Sequence, residues 1–191
     1  VILDVTPNHS SRSHPWAIDA RTNGEDSPYW KWYEHTMIDH NTNGLGQSFD
    51  SYGFTYYSGF SDQLLNLNWS NPDLRHEMIR MLSYWIREFG VDGYRFDVYW
   101  GPHRRYGEIA MGNPVREALK RIKPDILLLA EDDGTGGGTE VIYADRTSGG
   151  VSGGVDAAYD FKLYFNQIRS FAGTAGALNA LHAEIDNGGV F

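Results

Sequence analysis

The stretch GVDGYRFDV, residues 90–98, has the spacing of a buried β-strand and also contains two charges. Its apolar residues recur every two or three positions: Val91, Tyr94, Phe96 and Val98. Arg95 and Asp97 lie among them, although burying a charge costs free energy unless the charge is paired or faces a wet cavity. The stretch therefore predicts a core strand whose charged end opens onto a cleft.

Three further apolar stretches predict strands of the same sheet. They are VILDVT (1–6), DILLLAE (125–131) and GVDAAYDF (154–161). Helical patterns alternate with them, and a repeated order of strand, loop, helix and strand is typical of a parallel sheet with right-handed crossovers. The sequence therefore predicts an α/β fold.

The clearest helix signal lies just before GVDGYRFDV. Asn71 suits an N-cap, Pro72 suits the first turn and Gly90 suits the end, so the pattern predicts a helix over 72–89. Its predicted buried face consists of Leu74, Met78, Met81, Leu82, Trp85 and Phe89.

Two other helices are predicted with weaker signals. A loop is expected after residue 98, followed by a helix in NPVREALKRIKP (113–124) with Asn113 as its N-cap. A last helix is expected around 162–172.

The segment from about 11 to 70 is polar, rich in aromatic residues and almost without periodicity. It is too long for an ordinary connection, so we predict a functional loop or a small inserted subdomain. Its aromatic residues suit two roles, the core of that subdomain or a surface on which sugar rings stack.

The composition excludes several classes of protein. The net charge of −9 argues against binding to nucleic acid and to anionic membranes. No apolar run approaches the length of about 18 residues that marks a membrane helix. Cysteine is absent, so disulfides and thiolate metal sites are excluded, and the compartment stays open. The chain starts within a predicted strand, and we expect a fragment of a longer protein.

Polar residues gather where the predicted strands end. Asp4, Asn8 and His9 follow the first strand, the charged pair of GVDGYRFDV ends the second, and Glu131 ends the third. Because ligands of parallel α/β folds bind at the carboxyl ends of strands, we expect one site there. Two carboxylates beside an arginine suit cleavage of a glycosidic bond, which needs one ionised and one protonated group. The alternative for each residue alone is a structural ion pair or a loop cap.

Four segments resemble glycoside hydrolase family 13, the α-amylase family. They are DVTPNH (4–9), LLNLNWSNP (64–72), GYRFDV (93–98) and LLLAE (127–131), in the order and spacing of that family. The resemblance implies a partial (β/α)8 TIM barrel, about strands three to six, within a catalytic-domain fragment spanning 1–191. It also implies that residues 10–65 form domain B, inserted after the third strand.

The resemblance further implies a retaining hydrolase acting on α-glucosidic linkages of starch-like glucans or maltooligosaccharides. Asp97 would be the nucleophile and Glu131 the acid/base. The other residues carried over are His9, Arg95 and Asn68 as substrate-binding residues, Asn8 as a calcium ligand in many members, and Asp4 as a support for Arg95.

The sequence also departs from the family pattern. Trp100 and Gly101 stand where many members have Lys-His, a histidine that commonly binds calcium, and no match to the fourth family segment appears. We therefore expect the chain alone to be inactive. The alternatives are a transglycosylase or isomerase of the same family and a non-catalytic sugar-binding barrel relative. The oligomeric state is left open.

Overall fold

The computed structural model describes residues 1–40, 46–131 and 153–164, together with residues 168, 179, 182 and 183. The strands are β1 (Ile2–Val5), β2 (His9–Ser11), β3 (Gln47–Phe49), β4 (Thr55–Tyr57), β5 (Leu64–Asn66), β6 (Gly93–Phe96), β7 (Leu127–Ala130) and β8 (Ala157–Ala158). The helices are α1 (Pro15–Asn23), α2 (Pro72–Phe89), α3 (Trp100–Ala110), α4 (Gly112–Ile122) and α5 (Phe161–Leu163), with short 3₁₀ turns at Gly24–Asp26 and Trp30–Trp32.

The main sheet has the order β1-β6-β7-β8, and each neighbouring pair is parallel. The four predicted strands are confirmed, although each is shorter than its apolar run. Asp4 pairs in register with Arg95, which pairs in turn with Leu129. Equal register brings the carboxyl ends of β1, β6 and β7 to one edge, where the polar residues that follow them meet.

Helix α2 begins and ends at the predicted residues. The Asn71 side chain accepts hydrogen bonds from the backbone N–H groups of Asp73 and Leu74, at 2.9 and 3.1 Å. Gly90 closes the helix in the left-handed conformation, with φ of 63°, which suits a residue without a side chain.

The predicted buried face of α2 is wrong in part. Trp85 and Phe89 are 43% and 62% exposed, whereas Ile86 is buried. The buried row is Leu74, Met78, Leu82 and Ile86, spaced four residues apart, so the helix turns this row toward the sheet. Trp85 and Phe89 belong to the neighbouring row, which faces away from it.

The loop expected after residue 98 is wrong, because α3 occupies it, with a bend at Gly107. Asn113 is not the N-cap of the following helix, which begins one residue earlier, at Gly112, without a side-chain cap. A Cβ atom at Gly112 would lie 1.8 Å from Glu108 Oε2 and 2.2 Å from the Tyr99 hydroxyl. This close contact between the two helices places the start of α4.

The inserted segment has small antiparallel sheets, and its buried side chains belong to the same core cluster as those of the main sheet. Strand β2 pairs with β5, and β3 pairs with β4. The predicted limits of the insertion, 10 and 65, fall within the first of these pairs. Its fully buried aromatic side chains are Tyr33, Phe54 and Tyr57.

The last helix begins with α5, and most of the predicted range 162–172 lies outside the described residues. In the part of the chain that the structure describes, no helix is both long and apolar enough to cross a membrane.

Candidate active site

Four predicted site residues meet at the carboxyl edge of the main sheet, around Arg95. Its Nη1 lies 2.9 Å from Asp4 Oδ1 and 2.6 Å from Asp97 Oδ1. Its Nη2 lies 2.9 Å from Glu131 Oε1. The Arg95 guanidinium therefore forms ion pairs with three carboxylates from three neighbouring strand ends.

The geometry of the strands explains this meeting. Arg95 lies in β6 and Asp97 directly follows this strand, two residues further on, so both side chains project from the same face of the sheet. Asp4 is the register partner of Arg95 on β1. Glu131 directly follows β7, where its backbone N–H donates to Phe96 O at 3.0 Å.

The surroundings of Glu131 raise its pKa above that of an ordinary glutamate. Burial raises the pKa of Glu131, and the nearby Asp97 carboxylate raises it further, against the Val98 N–H and the charge of Arg95, which lower it. The Asp97 carboxylate lies within hydrogen-bonding reach of Glu131.

Arg95 stays charged in this partly buried position. Burial disfavours its charge, but the hydrogen bonds to Asp4 and Asp97 and the charge of Glu131 outweigh this, so the pKa of Arg95 is raised. Its side chain is 18% exposed, while that of Asp97 is 25% exposed and that of Glu131 22%. The cluster is thus open to solvent and to a ligand.

Sequence reasoning missed the contribution of Val98. Its backbone N–H donates to Glu131 Oε2 at 2.7 Å. Its φ is 51°, a left-handed conformation that is costly for a β-branched residue. This turn directs the amide at the carboxylate, and no sequence signal marks a valine for it.

His9 lies at the same edge, at the start of β2. Its Nδ1 is 3.1 Å from the side-chain nitrogen of Asn8, which is a donor, so neutral His9 carries its proton on Nε2. Burial and, to a smaller extent, the charge of Arg105 lower the pKa of His9, while Asp97 raises it. His9 is therefore a neutral donor at neutral pH.

Aromatic side chains lie beside His9. The ring of Phe60, 39% exposed, has its centroid 6.2 Å from that of His9. The rings of Tyr57 and Trp100 pack against Phe60, and the centroids of these two rings are 4.7 Å apart. Of the two roles weighed for the aromatic residues, Tyr57 belongs to the core, while Phe60 presents surface near the site.

Asn8 is fully buried and does not face an open cleft. Its Oδ1 accepts a hydrogen bond from Arg105 Nη1 at 2.7 Å, and Arg105 forms an ion pair with Glu34. Sequence reasoning missed both Arg105 and Glu34. A calcium ion does not fit beside Asn8 in this arrangement, because the ligand atom predicted from the resemblance already contacts a cation.

Asn68 is not brought together with the carboxylates by any described contact. Its side-chain nitrogen donates to Lys31 O at 3.1 Å, and its Oδ1 accepts from the backbone and the hydroxyl of Ser70. It lines a separate surface cavity with residues such as Trp30 and His35. These contacts stabilise the turn before α2. Within the described residues, no group of three or more histidine, aspartate or glutamate side chains suits a metal ion.

Fold and site together define an α/β protein that presents two acidic side chains, bridged by an arginine, at the carboxyl edge of a parallel sheet. Residues 1–144 match the family of alpha amylase catalytic domains. The chain belongs to this family, so the predicted fold, a partial (β/α)8 barrel, is confirmed, and the described sheet is an open portion of it.

Curated relatives agree with this assignment, and a solved structure shares the fold. The chain is 29% identical over 138 residues to a cyclomaltodextrinase from a Bacillus species, covering 69% of this chain and 22% of the relative. It is 33% identical over 108 residues to an oligo-1,6-glucosidase from Parageobacillus thermoglucosidasius, covering 51% and 19%. The crystal structure of an α-amylase from H. orenii shares the fold, with a TM-score of 0.72 at 24% identity over 98% of this chain and 38% of that one. The chain spans about a fifth of the length of these curated relatives.

Proposed function

We propose that this chain carries the catalytic carboxylates of a retaining glycoside hydrolase that acts on α-glucosidic linkages of starch-like glucans or maltooligosaccharides. The observation that carries the proposal is the shared Arg95, which holds Asp97 and Glu131 within reach of each other at adjacent strand ends. Retaining enzymes place their carboxyl groups about 5–5.5 Å apart, and inverting enzymes about 6.5–9.5 Å apart to admit a water molecule. The close pair supports the retaining class.

In the first step, an oxygen of Asp97 attacks the anomeric carbon and forms a glycosyl ester. The bond from that carbon to the leaving oxygen breaks, and Glu131 transfers its proton to this oxygen. Arg95 supports the step because its hydrogen bond orients the Asp97 carboxylate. The raised pKa of Glu131 suits it to the role of proton donor.

In the second step, the Glu131 carboxylate takes a proton from water while the water oxygen attacks the anomeric carbon. The ester bond breaks, Asp97 leaves as a carboxylate and Glu131 is again protonated. Two inversions at the same carbon retain its configuration. We further propose that His9, a neutral donor through Nε2, donates a hydrogen bond to a hydroxyl of the sugar at the cleaved bond.

The alternative functions differ in what they require of these carboxylates and in the products they form. A non-catalytic sugar-binding relative has no need of two carboxylates in contact, so the pair supports an enzyme. A transglycosylase or isomerase uses the same first step and differs in the acceptor that takes the glycosyl group. Product analysis separates these two from a hydrolase.

The test uses the full-length polypeptide that contains these residues, incubated with maltotetraose and followed by proton NMR. We expect hydrolysis that releases the α-anomer first, before mutarotation. Early release of the β-anomer would contradict the retaining mechanism. Larger oligosaccharides as the main products would assign the chain to a transferase, and a tetrasaccharide of unchanged mass with a rearranged linkage would assign it to an isomerase.

A further inference from the structure

Three oxygen acceptors from separate segments converge on Arg105 of α3. They are the carboxylate of Glu34, Asn8 Oδ1 at 2.7 Å and the backbone oxygen of Leu67 at 3.3 Å. The Arg105 side chain has no exposed surface, and that of Glu34 is 2% exposed. This sealed cluster ties the inserted segment to the loops that follow β1 and β5.

The acceptors form the kind of all-oxygen set that a hard cation such as calcium prefers, at about 2.3–2.6 Å. In this chain the guanidinium occupies that set. A second cation at Asn8 Oδ1 would lie next to the charge of Arg105, and like charges repel strongly in a buried site. Electrostatic repulsion therefore limits the cluster to one cation, and the Arg105 guanidinium is that cation.

The space for Arg105 depends on Gly101. A Cβ atom at position 101 would lie 2.2 Å from Asn8 Oδ1 and 3.2 Å from Arg105 Nη1. Gly101 is also the position where many family members have the histidine of Lys-His. The same departure from the family pattern thus makes room for the guanidinium and the Asn8 side chain.

Glu34, the ion-pair partner of Arg105, accepts several further hydrogen bonds, and its charge balances that of Arg105. Glu34 also accepts hydrogen bonds from Gln47, Thr55 and Tyr106. Burial disfavours the charge of Arg105, but the Glu34 carboxylate, Tyr57 and Tyr106 together outweigh this and raise the pKa of Arg105. One positive and one negative charge cancel, so no further counter-ion is required.

The cluster also reaches the sugar site. Because Arg105 binds the oxygen of the Asn8 side chain, the amide nitrogen must point the other way, toward His9 Nδ1 at 3.1 Å and Asn66 Oδ1 at 3.4 Å. This orientation holds the proton of His9 on Nε2.

We infer that Arg105 is the built-in cation of this cluster, which it holds without calcium, and that it positions His9 through Asn8. The first half does not depend on the reaction. The second half rests on the proposed function. Two experiments, one on metal binding and one on kinetics, therefore test the halves separately.

The first experiment measures thermal unfolding of the full-length polypeptide in excess EGTA and in millimolar calcium. We expect the same midpoint in both solutions for the wild type, and no binding heat attributable to this site when calcium is titrated in. Arg105→Ala vacates the acceptors, so we expect a lower midpoint that calcium raises. A wild-type midpoint that falls in EGTA, is restored by calcium and loses this response in Asn8→Ala would overturn the inference. The wild-type titration decides this even if Arg105→Ala does not fold.

The second experiment measures kcat and KM of Arg105→Met and Arg105→Lys on a maltooligosaccharide. We expect kcat of the methionine variant to fall by about tenfold or more, since small displacements of a positioned group are costly, with partial recovery in the lysine variant. The matched control is Arg116→Met, which removes an ion pair with Asp156 and leaves Asn8 untouched.

His9→Ala provides the background that separates positioning from general destabilisation. If Arg105 acts through His9, adding Arg105→Met to His9→Ala lowers kcat no further. Multiplicative losses in the double variant, or an unchanged kcat in Arg105→Met, would contradict the positioning role. If the wild type hydrolyses no α-glucan, the proposed function fails, while the calcium experiment still decides the first half.

Discussion

Arg95 and Arg105 each hold a cluster of oxygen acceptors near His9, and the two clusters differ in charge and in access to solvent. Arg95 serves three carboxylates, whose side chains are 22% to 67% exposed. Arg105 serves one carboxylate, and both side chains are sealed. The first cluster carries excess negative charge, and the second is neutral.

The difference indicates that the Arg95 cluster takes part in the reaction, whereas the Arg105 cluster holds segments of the fold together. Excess negative charge is tolerated only where solvent or a ligand reaches it, and it suits a reaction in which positive charge develops at the sugar. A sealed and balanced pair cannot exchange protons with a substrate, but it fixes segments in place. Substitutions in the two clusters should therefore have different effects, chemical around Arg95 and structural or positional around Arg105.

The largest effect is expected for Asp97→Asn. An amide cannot form the glycosyl ester, so kcat on maltooligosaccharides should fall by about 10⁴-fold or more. The matched control is Asp92→Asn, the same substitution at the exposed amino end of the β6 segment, where Asp92 pairs with Lys123. Steady-state kinetics that show comparable losses in both variants would remove Asp97 from the mechanism.

Glu131→Gln is expected to have a large effect that depends on the leaving group. Loss of the proton donor should cost about 10²–10⁴-fold on maltooligosaccharides. Activated aryl α-glucosides need little protonation, so their first step should be nearly unaffected. The control is Glu117→Gln on the exposed surface of α4. Equal losses on both substrate types would argue against the acid role.

Arg95→Met and Arg105→Met compare the two arginines directly. The charge of Arg95 lowers the pKa of Glu131, so its removal should raise that pKa. The alkaline limb of kcat/KM, which reports loss of the proton from the acid, should then move to higher pH. In Arg105→Met we expect this limb to stay in place. If the alkaline limb does not move in Arg95→Met, it does not report the titration of Glu131.

The smallest effect is expected for Glu108, a buried carboxyl that has no arginine or lysine partner among the described residues. Burial raises its pKa to about 7, although Tyr99 and the N–H of Gly154 lower it, and His103 Nε2 lies 3.6 Å away, its own pKa lowered by burial. The native state therefore binds more protons than the unfolded state between the ordinary glutamate value and about 7. Stability should fall by about 3 kcal/mol as pH rises through this window.

Glu108→Gln should remove this decline, because the amide does not titrate. The measurement is denaturant unfolding of the full-length polypeptide at several pH values from 5 to 8. The same pH slope in wild type and variant would show that Glu108 titrates normally.

Much of the fold was predictable from local signals. Asn71, Pro72 and Gly90 marked the ends of α2 because capping is short-range chemistry. Apolar runs marked the strands because buried parallel strands need apolar residues on both faces. The buried row of α2 and the start of α4 were mispredicted because packing against other segments decides them. For example, a Cβ atom at Gly154 would lie 2.5 Å from the Cα atom of Gly112.

The site shows the same division. Asp97 and Glu131 were predictable because each ends a strand pattern, and parallel strands align their ends. The cluster of Arg105 and Glu34 joins residues 71 positions apart, and no periodicity connects them. The hydrogen bond from the Val98 amide could not be predicted either, because the left-handed conformation of a valine is set by its surroundings rather than by its own preference.

The most direct test of the account is to trap the covalent intermediate. A fluorinated α-glucosyl fluoride slows hydrolysis of the ester, and incubation with the full-length polypeptide, followed by digestion and mass spectrometry, locates the label. We predict one fluoroglucosyl group on Asp97 and none in Asp97→Asn. A label on Glu131 or on Asp4, or turnover of the reagent with no label in the wild type, would contradict the assignment of Asp97 as the nucleophile.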